Sequence, residues 1–289
     1  MAKSADEGFR VFNTWLVPSD TERAKAASHR QTIHDKLEAT YGVYRMFQSG
    51  SFRHGTGISG HSDVDYFVSL ETDRPSLSTS ILSSVRDTLK ERFPSTYIHV
   101  SRPAVVLEFG QGYERVEIIP AYAYSKVGDK EQLKYKIPGV LEEWMESTPE
   151  AHLDYVNASD INVPAGSTKK LTRLIKAWKY YRNVPISSFY LEMRAAAYMR
   201  DQTSYVPWLD LYYLLKRLSD NGLAAMNDPT GNTGRINACS SDANLTDALS
   251  KLDTALTRAE NGKDYKDTNL SAAFDEWNKL FNGEFPSYY

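Results

Sequence analysis

A single cysteine, Cys239, stands among the 289 residues. No disulfide can form within the chain, and a cysteine-rich zinc site is excluded. Such usage suits a reducing compartment. Long apolar runs are missing as well. No stretch approaches the roughly 18 residues that a membrane span needs, and the opening MAKSADEGFRVFNTW has no apolar core ahead of a cleavage site. These absences predict a soluble, cytoplasmic protein that does not engage a membrane. Positive charge is not in excess either: the formal net charge is −3. A strong nucleic-acid surface is therefore not expected, and any nucleotide contact would be local, through a pocket or a metal. The six histidines show no metal-ligand spacing such as HExxH, and the 19 tyrosines form no RNP-type cluster.

What is present is ordinary globular material, 41% hydrophobic and 25% charged, long enough for one large domain or two lobes. Residues 4–40 read as largely helical, with Ala26, Ile33, Leu37 and Tyr41 roughly on one face. Tyr44 to Gln48 is a strand candidate, followed by a Gly-rich loop, GSFRHGTGISGHS, and a second strand, VDYFVSL. Residues 78–93 read as an amphipathic helix. Three strand-like runs come next, YIHVS, AVVLEF and ERVEIIPAY, with GQGY as a hairpin turn between the last two. After about residue 135 the texture turns helical, with helices expected near 138–147, 149–157, 168–182, 187–201, 207–221, 242–260 and 268–281. The expected fold class is α+β: residues 1–135 form a mixed-sheet lobe with N-terminal helices, residues 136–289 a helical lobe. A cleft between such lobes is a usual seat for a small-molecule site.

Chemistry concentrates at Asp63-Val64-Asp65. In a strand, residues i and i+2 share a face, so the two carboxylates stand side by side and repel unless a cation lies between them. Oxygen donors of this kind suit Mg²⁺. Upstream, Gly50 permits close backbone approach to a ligand and Ser51 offers a hydroxyl and an N–H to a phosphate. Glu117 sits among apolar neighbours on a predicted central strand, where a lone acid is costly unless paired or metal-bound. Glu114, nearer the turn, reads as solvated. Three such acids are what two-metal phosphoryl transfer needs. Arg53 and His54 read either as groups over the cleft or as a solvated loop, and His152 and Asn157 either as base-reading groups or as a capped helix end.

With Gly50-Ser51, Asp63-x-Asp65 and an acid before Ile118-Ile119-Pro120, the chain resembles the polymerase-beta-like nucleotidyltransferase superfamily. More narrowly, it resembles the CD-NTases, bacterial relatives of cyclic GMP-AMP synthase and oligoadenylate synthase. LTRLIKAWKYYRNVPISSFYLE is similar to that family's triphosphate-gripping helix, turn and helix, and DPTGNTGRINA and SAAFDEWNKLFNGEFPSYY are similar to bacterial members. The resemblance implies a polymerase-beta-like lobe with the active site in the interlobe cleft. It implies Asp63, Asp65 and Glu117 as ligands of two Mg²⁺ ions, with Mn²⁺ as a substitute, and Glu117 as helper of the attacking hydroxyl. It further implies Ser51, Lys176 and Ser188 on the triphosphate and Phe189 or Tyr190 beside the nucleobase. Asn157 is a candidate base reader. The third acid is more often Asp in the family, and Glu117 is one methylene longer. The implied activity is synthesis of a cyclic di- or trinucleotide second messenger from ATP, GTP, UTP or CTP, in antiphage signalling (CBASS) where the product switches on a separate effector. Transfer of nucleotides to RNA or protein, and a catalytically silent nucleotide-binding module on the same fold, remain alternatives. Regulatory proteins are left open.

Overall fold

The computed structural model describes residues 2–61, 63–110 and 114–289, without the side chains of residues 23, 25 and 26. Gln111, Gly112 and Tyr113 of the GQGY turn and the side chain of Ala26 therefore lie outside the described residues. Three helices open the chain: α1 (Ala5–Leu16), α2 (Asp20–Ser28) and α3 (Arg30–Tyr41). Ser4 caps α1, and a reciprocal Ser19–Glu22 capping box starts α2. Then come β1 (Val43–Ser49), the short α4 (Gly50–His54), β2 (Val64–Leu70), α5 (Ser78–Arg92), β3 (Tyr97–Ser101), β4 (Ala104–Phe109), β5 (Glu114–Val127), β6 (Gln132–Pro138) and β7 (Trp144–Ser147). The remainder is helical apart from one small ladder: α6 (Pro149–Asn157), α7 (Ser167–Tyr181), α8 (Ser188–Arg200), α9 (Pro207–Asp220), β8 (Met226–Asn227) with β9 (Arg235–Ile236), α10 (Asp242–Tyr265) and α11 (Leu270–Leu280).

The main sheet runs β1-β2-β5-β4-β3, and β6 and β7 extend it along the second half of β5. Only β2 and β5 pair in parallel; the other neighbours are antiparallel. The period-2 alternation of β2 sorts its residues cleanly. Val64, Tyr66, Val68 and Leu70 face a core closed by Ile33 and Leu37 of α3 and by Ile81, Leu82, Val85 and Leu89 of α5. Phe67 takes the opposite face with Ala121, Tyr135 and Ile137. Asp65 lies on that second face, where the apolar row gives way to acids.

Two expectations are corrected. Residues 138–147 do not form a helix. Gly139 makes a tight turn, where an added Cβ would lie 2.3 Å from the Glu142 carbonyl oxygen. Arg102 donates to the Gly139 and Glu142 carbonyls at 2.9 and 3.1 Å, and Trp144–Ser147 pairs with β6. Ladder pairing and a bound turn override the helix propensity of Leu141-Glu142-Glu143. The loop after β1 is also not wholly irregular, because its first five residues form α4.

The helical residues share a core of their own, and α1 belongs to it. Phe9 and Phe12 of α1 pack against Trp277, Phe281 and Phe285 with ring centroids 4.5–5.1 Å apart. By packing, then, residues 2–16 join the helical group although they precede the sheet in sequence. No helix among the described residues is long and apolar enough to cross a membrane.

Candidate active site

Strand register brings the acids together. Asp65 lies opposite Ser49 of β1 on one side and opposite Glu117 of β5 on the other. In the adjacent row, Arg115 of β5 lies opposite Glu108 of β4. Continuing the β2–β5 pairing back by one residue sets Asp63 level with Arg115, and the two form an ion pair, Nε to Oδ2 at 3.3 Å. Arg115 also donates to Glu117 Oε1, from Nη2 at 2.7 Å and from Nε at 3.2 Å. One guanidinium thus bridges two of the three acids. Arg115 was not anticipated from sequence, although its i, i+2 spacing to Glu117 on one strand carries the signal.

Burial pushes the Asp65 carboxyl well above the usual range, and the like charges of Glu117 and Asp63 add to the push. Asp63 is pushed up to about 6, mostly by burial and then by Glu117, with Arg115 and Lys179 opposing. The cluster is short of positive charge. Its donors are oxygens only, which fits hard divalent cations such as Mg²⁺. Among the described residues no three Asp, Glu, His or Cys side chains already close into a metal cage; Arg115 instead stands between Asp63 and Glu117.

Gly50 explains how Ser51 comes near. It opens α4 with φ +59°, and a Cβ there would lie 1.9 Å from Asp65 Oδ2. Only glycine allows the chain to pass this close to the carboxylate in that left-handed conformation. Ser51, the second residue of α4, follows directly and is partly exposed.

The resemblance assigns Lys176 to the triphosphate, but the structure buries it. Lys176 is 1% exposed. Its Nζ donates to Glu192 Oε2 at 2.6 Å and to Thr56 Oγ1 at 3.0 Å. Glu192 also holds Thr56 Oγ1 at 2.9 Å and the ring Nδ1 of His54. His54 is therefore a core residue and not a group over the cleft. Burial alone would push the Glu192 carboxyl up; Lys176 and His54 against it win and hold it well below the usual range. One turn along α7, Lys179 is only partly buried and faces the acids instead. It donates to Ser188 Oγ at 2.6 Å, and burial, with Lys176 nearby, pulls its ammonium down to about 8 while Asp63 and Glu117 draw it the other way. Ser188 also contacts the Tyr180 hydroxyl at 3.1 Å. Lys179 was missed from sequence; an i, i+3 repeat of lysine on one helix was the available sign.

The remaining candidates separate. Ser187 caps α8 through Tyr190 N at 3.2 Å, which leaves the Ser188 hydroxyl to Lys179. Phe189 is exposed, whereas Tyr190 is fully buried with its hydroxyl on the Ala224 carbonyl at 2.8 Å. Of the two aromatics only Phe189 can meet a base. His152 is buried between Asp228, at 3.0 Å, and the edge of Phe189, centroids 5.0 Å apart. Asn157 ends α6 in an exposed position and Arg53 is exposed on α4. Glu114 is not simply solvated: its Oε2 lies 3.5 Å from His29 Nε2.

The sequence model of the Second Messenger Oligonucleotide or Dinucleotide Synthetase domain matches residues 1–160. Solved structures share the whole fold. CdnC of E. coli MS115-1, solved with ATP, is 17% identical with a TM-score of 0.77, covering 98% of this chain and 99% of that one. The CD-NTase CdnG of Bradyrhizobium diazoefficiens, solved with GTP, is 14% identical with a TM-score of 0.75, covering 96% and 94%. The cyclic AMP-GMP synthase DncV of Vibrio cholerae is 11% identical with a TM-score of 0.73, covering 99% and 98%. No curated protein sequence gives a significant match.

Two outcomes follow from this geometry. Gly50→Ala drives a methyl group into the Asp65 carboxylate; the chain should keep its far-UV circular dichroism yet lose activity by about a hundredfold, the scale of a 1 Å misplacement. Glu192→Gln leaves Lys176 and His54 buried without their counter-charge, and should cost about 3 kcal/mol at pH 7 in urea denaturation. Because the folded carboxyl sits below its ordinary value of 4.5, the native advantage is full above that pH. It shrinks as pH falls below it, so the two unfolding curves should converge in acid.

Proposed function

This chain belongs to the CD-NTase family of second messenger oligonucleotide or dinucleotide synthetases and is a nucleotidyltransferase; from that premise we propose that it closes two or three nucleotides into a ring by two-metal transfer at Asp63, Asp65 and Glu117. The observation that carries this is the side-by-side register of Asp65 and Glu117, with Asp63 on the same face and the carboxyls of Asp63 and Asp65 both pushed above their ordinary range. The three acids would hold two divalent cations, Mg²⁺ with Mn²⁺ as a substitute, which supply neutralising charge to a triphosphate and make a ribose hydroxyl easier to deprotonate.

The chain's own groups do the rest. Glu117 accepts a hydrogen bond from the attacking hydroxyl and helps to draw off its proton. That oxygen attacks the α-phosphorus of a second nucleoside triphosphate, the P–O bond to the leaving group breaks, and pyrophosphate departs. Ser51, brought near by Gly50, donates to the terminal phosphates. Lys179 and Ser188 turn their mutual hydrogen bond toward the same phosphates, the role the resemblance gives to Lys176. Phe189 offers a flat apolar face to a base, with His152 and Asp228 behind it, and Asn157 is the candidate base reader. Repetition of the transfer within the linear product closes the ring. ATP, GTP, UTP and CTP are the candidate substrates, and the product would act on a separate effector in bacterial antiphage defence (CBASS), in the cytoplasm.

Mass spectrometry of the products formed from the four ribonucleotides with Mg²⁺ or Mn²⁺ tests the reading, and a phosphatase-resistant species of two or three nucleotides is expected. Asp65→Asn should lower its yield at least about a hundredfold, in line with several kcal/mol of lost charge stabilisation. Lys179→Met should raise KM for nucleotide in a chain of native stability, whereas Lys176→Met should destabilise the fold. A product formed equally well by Asp65→Asn would remove the basis of the assignment.

A further inference from the structure

Arg115 is the one cation among the described residues in direct ion pairs with the acid cluster, and it uses the same oxygens that a metal would need. Its guanidinium spans Asp63 Oδ2 at 3.3 Å and Glu117 Oε1 at 2.7 Å. A divalent ion on those oxygens would both take its acceptors and repel its charge. A second seat exists. Glu108 lies directly across the β4–β5 ladder from Arg115 and so on the same face. Directly paired residues of this kind have Cβ atoms about 5 Å apart, within easy reach of a guanidinium. The Glu108 carboxylate makes no side-chain hydrogen bond or ion pair among the described residues, and already acts on Arg115 through its charge.

We propose that Arg115 is a resting counter-ion for the acids: it holds Asp63 and Glu117 together before divalent cations bind, and shifts to Glu108 when they do. Arg115 is thereby a positioning residue that sets how tightly the site takes metal. The arrangement keeps two carboxylates from repelling each other open in the empty site. It also makes metal affinity lower than three bare carboxylates would give. This inference rests on the reading of Asp63, Asp65 and Glu117 as metal-holding acids.

The test is Mn²⁺ titration of the full chain by calorimetry without nucleotide, alongside thermal melting. Arg115→Met should bind Mn²⁺ tighter than the native chain, by roughly fivefold, the scale of losing one competing ion pair. It should melt at a lower temperature than the native chain without divalent ions and gain more on adding Mn²⁺. Glu108→Gln should weaken Mn²⁺ binding in the native background and have no effect in the Arg115→Met background, because only a mobile Arg115 couples the two. Arg115→Lys, which keeps charge and loses the fork, should fall between native and Met; it carries the test should the Met variant not fold. Unchanged or weaker Mn²⁺ binding in the Arg115 variants overturns the competition, and an equal Glu108→Gln effect in both backgrounds overturns the relocation. Asp63→Asn with Asp65→Asn separates the two levels. If that pair binds Mn²⁺ as the native chain does, the reading of the acids fails; if it does not bind and Arg115→Met is no tighter than native, only the counter-ion role fails.

Discussion

Three carboxylates crowded onto one end of a sheet face create the tension around which this molecule is arranged. Asp65 and Glu117 are register partners on parallel strands, and Asp63 shares their face. Left alone, such a cluster would protonate or spread apart. Its neighbours answer that repulsion without removing it. Arg115 bridges two of the acids, and Lys179 adds a more distant positive charge. What remains is an appetite for further positive charge at a place the backbone of Gly50 approaches closely. A nucleotide's phosphates with their divalent ions would satisfy that appetite.

A second charge cluster, this one closed to water, ties α4 to the helices α7 and α8. Lys176 of α7, Glu192 of α8, and His54 and Thr56 at the end of α4 satisfy one another. Any one of them buried alone would be costly. Together they fix α4, and with it Ser51, against the two helices that present Lys179 and Ser188. Asp228 shows the same economy on a smaller scale: it gathers the Thr230–Thr233 turn and His152 around one carboxylate, placing that ring behind Phe189. The overall charge of −3 matters little beside such local fields, because both clusters are partly shielded from water and act over a few ångströms.

Much of this was legible in the chain itself. β-Branched and aromatic content marked β2, a strand-like run marked the first part of β5, and apolar spacing of four marked α5. The helical texture after residue 135 placed α6 to α9 and α11 within two residues, with α10 running five residues longer than expected. The acids could be named because Asp63-x-Asp65 and Glu117 each set carboxylates where an extended strand must present them on one face. The same rule applied to Arg115 would have revealed the cation beside them. The helix expected over 138–147 failed because Leu141-Glu142-Glu143 has local preference for helix, while ladder partners and Arg102 are supplied from elsewhere in the chain.

Lys176 and Lys179 mark the boundary between the two kinds of information. Both lie on the amphipathic face of one helix, and composition alone cannot say which ammonium is enclosed. The sequence by itself determined most of the helices, the strands that carry the acids, the pair of aspartates and the need for a cation near them, since these follow from local geometry and like-charge repulsion. Only the tertiary structure decided that Glu192 from α8 captures Lys176, that α1 packs with the C-terminal helices, and that Arg115 sits between Asp63 and Glu117. Each of those depends on which distant segment arrives as a neighbour, and burial and charge pairing are properties of neighbours, not of the chain order that precedes them.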